Sequence, residues 1–241
     1  VYRAECEGAT RALKAARVLP VVEEARAMLR VNSPRKHPNV LALRYVCSAA
    51  GDTDEMLFLE ELIEGESLDA LISSGQLYDT RDDDDMETVL QHRLCAMFAQ
   101  LLAALAHVHA CGVIHQDVKP ANIMVDTDTW HVFLIDFGAA TIALPGAFDG
   151  NGNVRSTMKG STPVYASPLQ RKLQAKLRKE RDRKKKRAVL EAQLLSQLDD
   201  IWAAVVTCLD MFCGGGAWRG NMTSSQAWLK AGRSLSGLLS R

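Results

Sequence analysis

Residues 115–122 read His-Gln-Asp-Val-Lys-Pro-Ala-Asn, placing a carboxylate at Asp117, an ammonium at Lys119 and an amide at Asn122 within six residues. A carboxylate can orient an attacking hydroxyl and accept its proton, a lysine can offset anionic charge, and an amide oxygen can ligate a hard cation. A second carboxylate, Asp136, arrives nineteen residues after Asp117 in LIDFG. The runs IMVD and HVFLID, separated by TDTW, have hairpin character. Folding that hairpin back would bring Asp136 beside Asn122, giving one divalent cation two oxygen ligands. Gly138 lets the chain leave the site sharply. These are the parts that phosphoryl transfer needs.

The elements that must hold those residues follow from pattern. VYRAECEGATRALKA (1–15) predicts two strands around a Glu-Gly turn, and PVVEEARAMLRV (20–31) a helix with Pro20 in its first turn. VLALRYVCS and MLFLEELI are strand-like, EGESLDALI starts a helix, and RDDDDME (81–87) reads as a solvated loop. Residues 88–110 predict a long, central helix, and DIWAAVVTCLDMF (200–212) a buried one. A small sheet followed by helices predicts two unequal lobes. With 47% hydrophobic residues in 241, the chain can bury a real core, and its formal net charge of zero gives it no bias toward nucleic acid or anionic membrane. Six cysteines without a CxxC pair read as reduced, mostly buried thiols of a cytoplasmic or nuclear protein. The absence of an unbroken apolar run of roughly 18 residues or of a signal peptide predicts no membrane partner.

HQDVKPAN followed by DFG resembles the signature of the eukaryotic protein kinase family, and a lysine two residues after the acid is its serine/threonine-type arrangement. The resemblance implies an α+β, two-lobed protein-kinase-like fold: a partial sheet lobe over 1–62 and a partial, mainly helical lobe over 63–241. It implies Asp117 as catalytic base, Lys119 against the transferred phosphate, and Mg²⁺ held by Asn122 and Asp136. RALK resembles the strand with the ATP-anchoring lysine, here Lys14, with Glu24 on the next helix as its ion-pair partner. VYRAEC would lay Val1, with Ala12, over the adenine ring. LEELIEGESL resembles the hinge, where Glu61 and Ile63 offer backbone groups to adenine. GSTPVYASP resembles the substrate-binding segment, with Thr162 near Asp117, and Asp200 would brace the catalytic loop. Met28, Leu43, His115 and Phe137 would stack between the lobes. The implied activity is transfer of the ATP γ-phosphate to serine or threonine of a protein substrate; the alternative is a catalytically impaired pseudokinase or scaffold.

Several positions depart from the family pattern. No glycine-rich loop precedes Val1 and the chain stops before the last helices, which reads as truncation at both ends. Lys14 and Glu24 are ten residues apart, so either their linker is tight or the pair does not form. The position behind adenine falls on Leu59 or Glu60. Gln116 replaces an arginine that receives an activating phosphate in many members, which favours activation independent of that phosphate, with Ser156 or Thr157 still open to modification. Leu169 replaces an anchoring glutamate, with Gln170 as substitute. FDGNGNV (148–154) mimics a calcium loop but lacks the required glycine and glutamate, and reads as a turn. The basic run 171–187 holds eleven Lys or Arg against two acids. It could address the nucleus, bind nucleic acid or dock acidic substrates, but a solvated helix face is the expectation, within a helix-favouring insertion over 171–198. His107 and His109 are expected to be packed or hydrogen-bonded rather than metal ligands.

Overall fold

The computed structural model describes residues 2–6, 9–48, 55–79, 86–143, 153–155, 162–179, 182 and 194–214. Strands β1 (Tyr2–Cys6) and β2 (Ala9–Arg17) pair antiparallel, from Tyr2 opposite Leu13 to Cys6 opposite Ala9. With β3 (Leu43–Ser48) and β4 (Glu55–Glu61) they form a four-stranded sheet in the order β1-β2-β4-β3. Helix α1 (Val18–Val31) begins on the residue after β2. That abutment brings Glu24 within reach of Lys14 across only ten residues. Met28 and Val31 recur on the helical face that packs inward, and both are fully buried.

The segment between α1 and β3 fastens the sheet to the rest of the molecule. Leu41 N donates to Leu134 O at 3.0 Å and Leu134 N to Asn39 O at 2.9 Å. The buried Asn39 side chain donates to Val132 O at 2.8 Å and to Gln100 at 2.9 Å. Apart from the bond to Gln100, these end on β8 (His131–Leu134), which pairs with β7 (Ile123–Asp126) in the hairpin expected from IMVD and HVFLID. Strand β5 (Glu66–Ser67) adds to that hairpin through β7. A Cβ on Gly65 would lie 2.1 Å from Val125 O, so only glycine permits this approach. Helix α2 (Leu68–Ser74) follows, capped by the Ser67 hydroxyl.

Helix α3 (Met86–Ala110) is the long central helix. Within Glu87–Ala110 an 18-residue window reaches a mean hydropathy of 1.4, which by length and composition alone is enough to cross a bilayer. In the fold, its inner face (Leu94, Met97, Leu101, Ala104, Leu105, Val108) is buried against the core, while Arg93 donates to the Leu77 carbonyl and lies over the Trp130 ring. Next come β6 (Val113–Ile114), paired with β9 (Thr141–Ile142), and β10 (Asn153–Arg155), paired with β11 (Leu194–Ser196). Helices α4 (Pro168–Lys179) and α5 (Gln197–Cys213) complete the described chain.

Two expectations are corrected. The segment 171–198 is not helical throughout: α4 ends at Lys179, and Leu194–Ser196 are extended. Ser196, at φ −128° and ψ 142°, must be extended to cap α5, with its hydroxyl accepting from Leu198 N and its amide donating to Asp199. The described cysteines are not mostly buried, since Cys47 and Cys95 are exposed and Cys111, Cys208 and Cys213 half-buried. Cys47 sits on the edge strand β3, and Cys95 faces out from α3 next to the inward Leu94. Residues 81–85, most of the calcium-loop mimic, Ser156 and Thr157 lie outside the described residues.

Candidate active site

The loop between β6 and β7 is held from below by one buried carboxylate. Asp200, in the first turn of α5, accepts from the His115 and Gln116 amides at 2.8 Å each and contacts His109 Nε2 at 2.8 Å. Gln116 has φ 68°, a left-handed conformation that a non-glycine residue keeps only when its surroundings fix it. Its side-chain amide donates to Thr141 Oγ1 at 2.5 Å, tying the loop to β9. The His115 ring contacts Ile135 O at 3.1 Å and meets Phe137 edge-on at 4.9 Å. Met28, Leu43 and Phe137 belong to one apolar cluster, and all three are buried, as is His115.

On the open side of this loop, Asp117 gathers donors. Lys119 Nζ lies 2.6 Å from Asp117 Oδ2, and Asn122 Nδ2 donates to the same oxygen at 3.0 Å. The Thr162 hydroxyl donates to Asp117 Oδ1 at 3.0 Å, and Lys119 also donates to that hydroxyl at 3.1 Å. Burial by itself would push the Asp117 carboxyl up; the lysine and threonine donors outweigh it and hold the group below its ordinary value. Asp117 is therefore a carboxylate at neutral pH, ringed by donors.

Asn122 and Asp136 approach through the backbone, since Ile135 N donates to Asn122 O at 3.0 Å at the end of the β7–β8 pairing. Asp136 has φ 62°, a second left-handed non-glycine residue at this site. Its Oδ1 accepts from Lys14 Nζ and from Gly138 N, at 3.5 and 3.3 Å. Gly138 matters for clearance: a Cβ there would lie 3.2 Å from Asp136 Oδ1 and 3.7 Å from Glu24 Oε2. Asn122 spends its amide nitrogen on Asp117, which leaves its oxygen as a donor to a cation, and the Asp136 side chain is 47% exposed. Two hard oxygen donors at an open edge suit a divalent ion such as Mg²⁺. His107 bonds Val31 O at 2.7 Å and stacks on His37, while His109 bonds the Asp200 carboxylate at 2.8 Å.

From the sheet, Lys14 Nζ reaches Glu24 Oε1 at 2.5 Å, so the pair forms despite its short spacing. Desolvation would lower the Lys14 pKa, but Glu24, Asp136 and Glu60 together raise it. The β2–β4 register sets Lys14 opposite Phe58 and Ala12 opposite Glu60, so Glu60 and not Leu59 shares the Lys14 face. Glu60 is buried, and that burial pushes its carboxyl up to about 7 against the opposing charge of Lys14. Glu61 follows, its amide donating to Ala42 O at 2.9 Å, and half-buried Ile63 comes two residues later. Val1 lies outside the described residues.

Two further contacts were not foreseen, one without a local signal in the sequence and one with it. Tyr165 donates its hydroxyl to Asp210 at 2.6 Å, 45 residues away. Leu169, at the anchoring position, is exposed, and Gln170 takes a different role: buried, it accepts from Ser167 N at 3.0 Å while the Ser167 hydroxyl accepts from Gln170 N at 3.1 Å. Serine, proline and glutamine at the head of α4 form a capping box that the spacing alone could have announced.

The chain matches the family model described as protein kinase domain over residues 9–235. It is 34% identical over 171 residues to CBL-interacting protein kinase 22 of Oryza sativa, covering 69% of this chain and 34% of that protein. It is 32% identical over 132 residues to serine/threonine-protein kinase GIN4 of Saccharomyces cerevisiae, covering 55% and 10%. A match to serine/threonine-protein kinase cds1 of Schizosaccharomyces pombe is 32% identical over 133 residues, covering 55% and 24%. The aligned part of this chain thus spans between a tenth and about a third of those proteins' lengths.

Proposed function

This chain belongs to the protein kinase family, whose members use ATP, a divalent metal and a protein substrate, and we propose that it transfers the γ-phosphoryl group of ATP to serine or threonine hydroxyls. The observation that carries this reading is the convergence of Lys119, Asn122 and Thr162 on the ionised Asp117 carboxylate. In the proposed step, Asp117 orients the incoming hydroxyl and takes its proton. The hydroxyl oxygen bonds to the γ-phosphorus as the bond to the β–γ bridging oxygen breaks, and ADP departs. Lys119 offsets charge on the moving group. Lys14, kept cationic by Glu24, would bind the remaining phosphates, and the backbones of Glu61 and Ile63, with Val1 and Ala12, would frame adenine. Asn122 and Asp136 would hold the divalent cation, which supplies charge neutralisation of the phosphates when bound.

Gln116 supports a catalytic loop that needs no phosphate to order it, because its side chain is already bonded to Thr141 in the fold. The test is radiolabelled phosphate transfer to generic serine/threonine substrates by the chain and by Asp117→Asn. Removing the base should lower the rate by about 10²- to 10⁴-fold. Equal transfer by both would refute the reading.

A further inference from the structure

The insertion that follows the substrate segment contains a groove that phosphoryl transfer does not require. On α4, Arg171, Gln174, Ala175 and Lys179 recur at helical spacing and so lie on one face. That face and Pro163 enclose an open volume of about 360 Å³. Pro163 directly follows Thr162, whose hydroxyl is 3.0 Å from Asp117, so one wall of the groove is the chain neighbour of a residue bonded to that carboxylate. No acidic residue occurs in α4, and the exposed Lys172 and Lys176 extend the positive charge around the helix.

We propose that this groove binds acidic side chains flanking the phosphorylated residue, making the chain selective for serine or threonine in acidic sequences; this rests on the phosphotransferase reading above. From Arg171 to Lys179 the helix rises about 12 Å, the reach of roughly four extended residues. A peptide with its hydroxyl at Asp117 therefore meets the groove within a few residues. Arginine and lysine on opposite ends of that span match carboxylates spaced along one strand. Single-stranded nucleic acid fits less well, because among the described residues no aromatic ring lines the groove on which a base could stack.

The test uses a labelled peptide with Asp at the four positions on each side of one serine, against the same peptide with Asn. Fluorescence anisotropy without ATP reads binding independently of turnover, and kcat/KM reads transfer. The Asp peptide should bind about tenfold more tightly at low salt, with the preference shrinking as salt rises. Arg171→Gln with Lys179→Gln should bring the two peptides together; glutamine is a good helix former, so α4 persists. Equal binding of the two peptides by the unaltered chain, a preference that survives the double substitution, or tighter binding of a single-stranded RNA of equal charge would each overturn the proposal. An acid preference removed by the double substitution, alongside no transfer to any peptide, would sustain the groove and overturn only the phosphotransferase reading.

Discussion

Asp117, on the helical side of the molecule, and Glu60, on the sheet side, are both acids drawn out of water, and they respond in opposite directions. Asp117 has a lysine, an amide and a threonine donating to it, and its carboxyl is held below the ordinary range. Glu60 shares the single charge of Lys14 with Glu24 and Asp136, and its carboxyl rises to about 7. Hydrogen-bond donors aimed at the oxygens, more than depth, decide which acid stays ionised. The helical side thus has a site whose charge is over-determined; on the sheet side three acids crowd one cation.

The strongest way to break the comparison is to undo what fixes the Asp117 loop. Asp200→Ala leaves two buried amides and His109 without their common partner, and should cost about 3–5 kcal/mol in urea unfolding. A smaller loss than about 1 kcal/mol would mean the loop holds itself.

The sheet side predicts a pH dependence. Folded Glu60 keeps its proton to about 7, against 4.5 as its unperturbed value, so the folded state binds more protons between those values. Stability contributed by this group is therefore intact below about 4.5 and falls as pH rises to 7, by roughly 3 kcal/mol when the group is fully ionised. Glu60→Gln should flatten that slope in urea midpoints taken at pH 5 and pH 7.5; an unchanged slope would assign it to another group. Lys14→Met sharpens the contrast further. It removes the charge that opposes Glu60 protonation, so the same slope should move to higher pH, and a shift to lower pH would contradict the assignment.

The smallest expected effect lies at the head of α4. Ser167→Ala removes one half of the α4 capping box and a hydrogen bond to Asp199, and should cost about 1–2 kcal/mol, read from the denaturation midpoint. The Lys14 surroundings should be untouched.

Features written in consecutive residues were legible from the sequence: the β1–β2 pairing around its turn, the hairpin that carries Asn122 toward Asp136, and the His-Gln-Asp-Val-Lys-Pro-Ala-Asn loop itself. Spacing within α1 also favoured Glu24, since Met28 and Val31 share its helical face. What escaped was fixed by partners distant in the chain. Gln116 meets Thr141 across 25 residues and Tyr165 meets Asp210 across 45. The strand Leu194–Ser196 lay hidden because its run of apolar and polar residues suits a helix equally well until β10 and the α5 cap claim it. The side of β4 that faces Lys14 could not be read without the register, because a one-residue slip exchanges Leu59 for Glu60.

The direct passage of β2 into α1 has a mechanical consequence. With no residue between strand and helix, no loose joint exists in which torsion could accumulate, so α1 is coupled to the strand like the short arm of an elbow. Drawing Glu24 away from Lys14 would demand unwinding the first helical turn or peeling β2 from β4. The contact between them is thereby fixed by chain length, and control of this molecule by swinging that helix outward would have to dismantle secondary structure first.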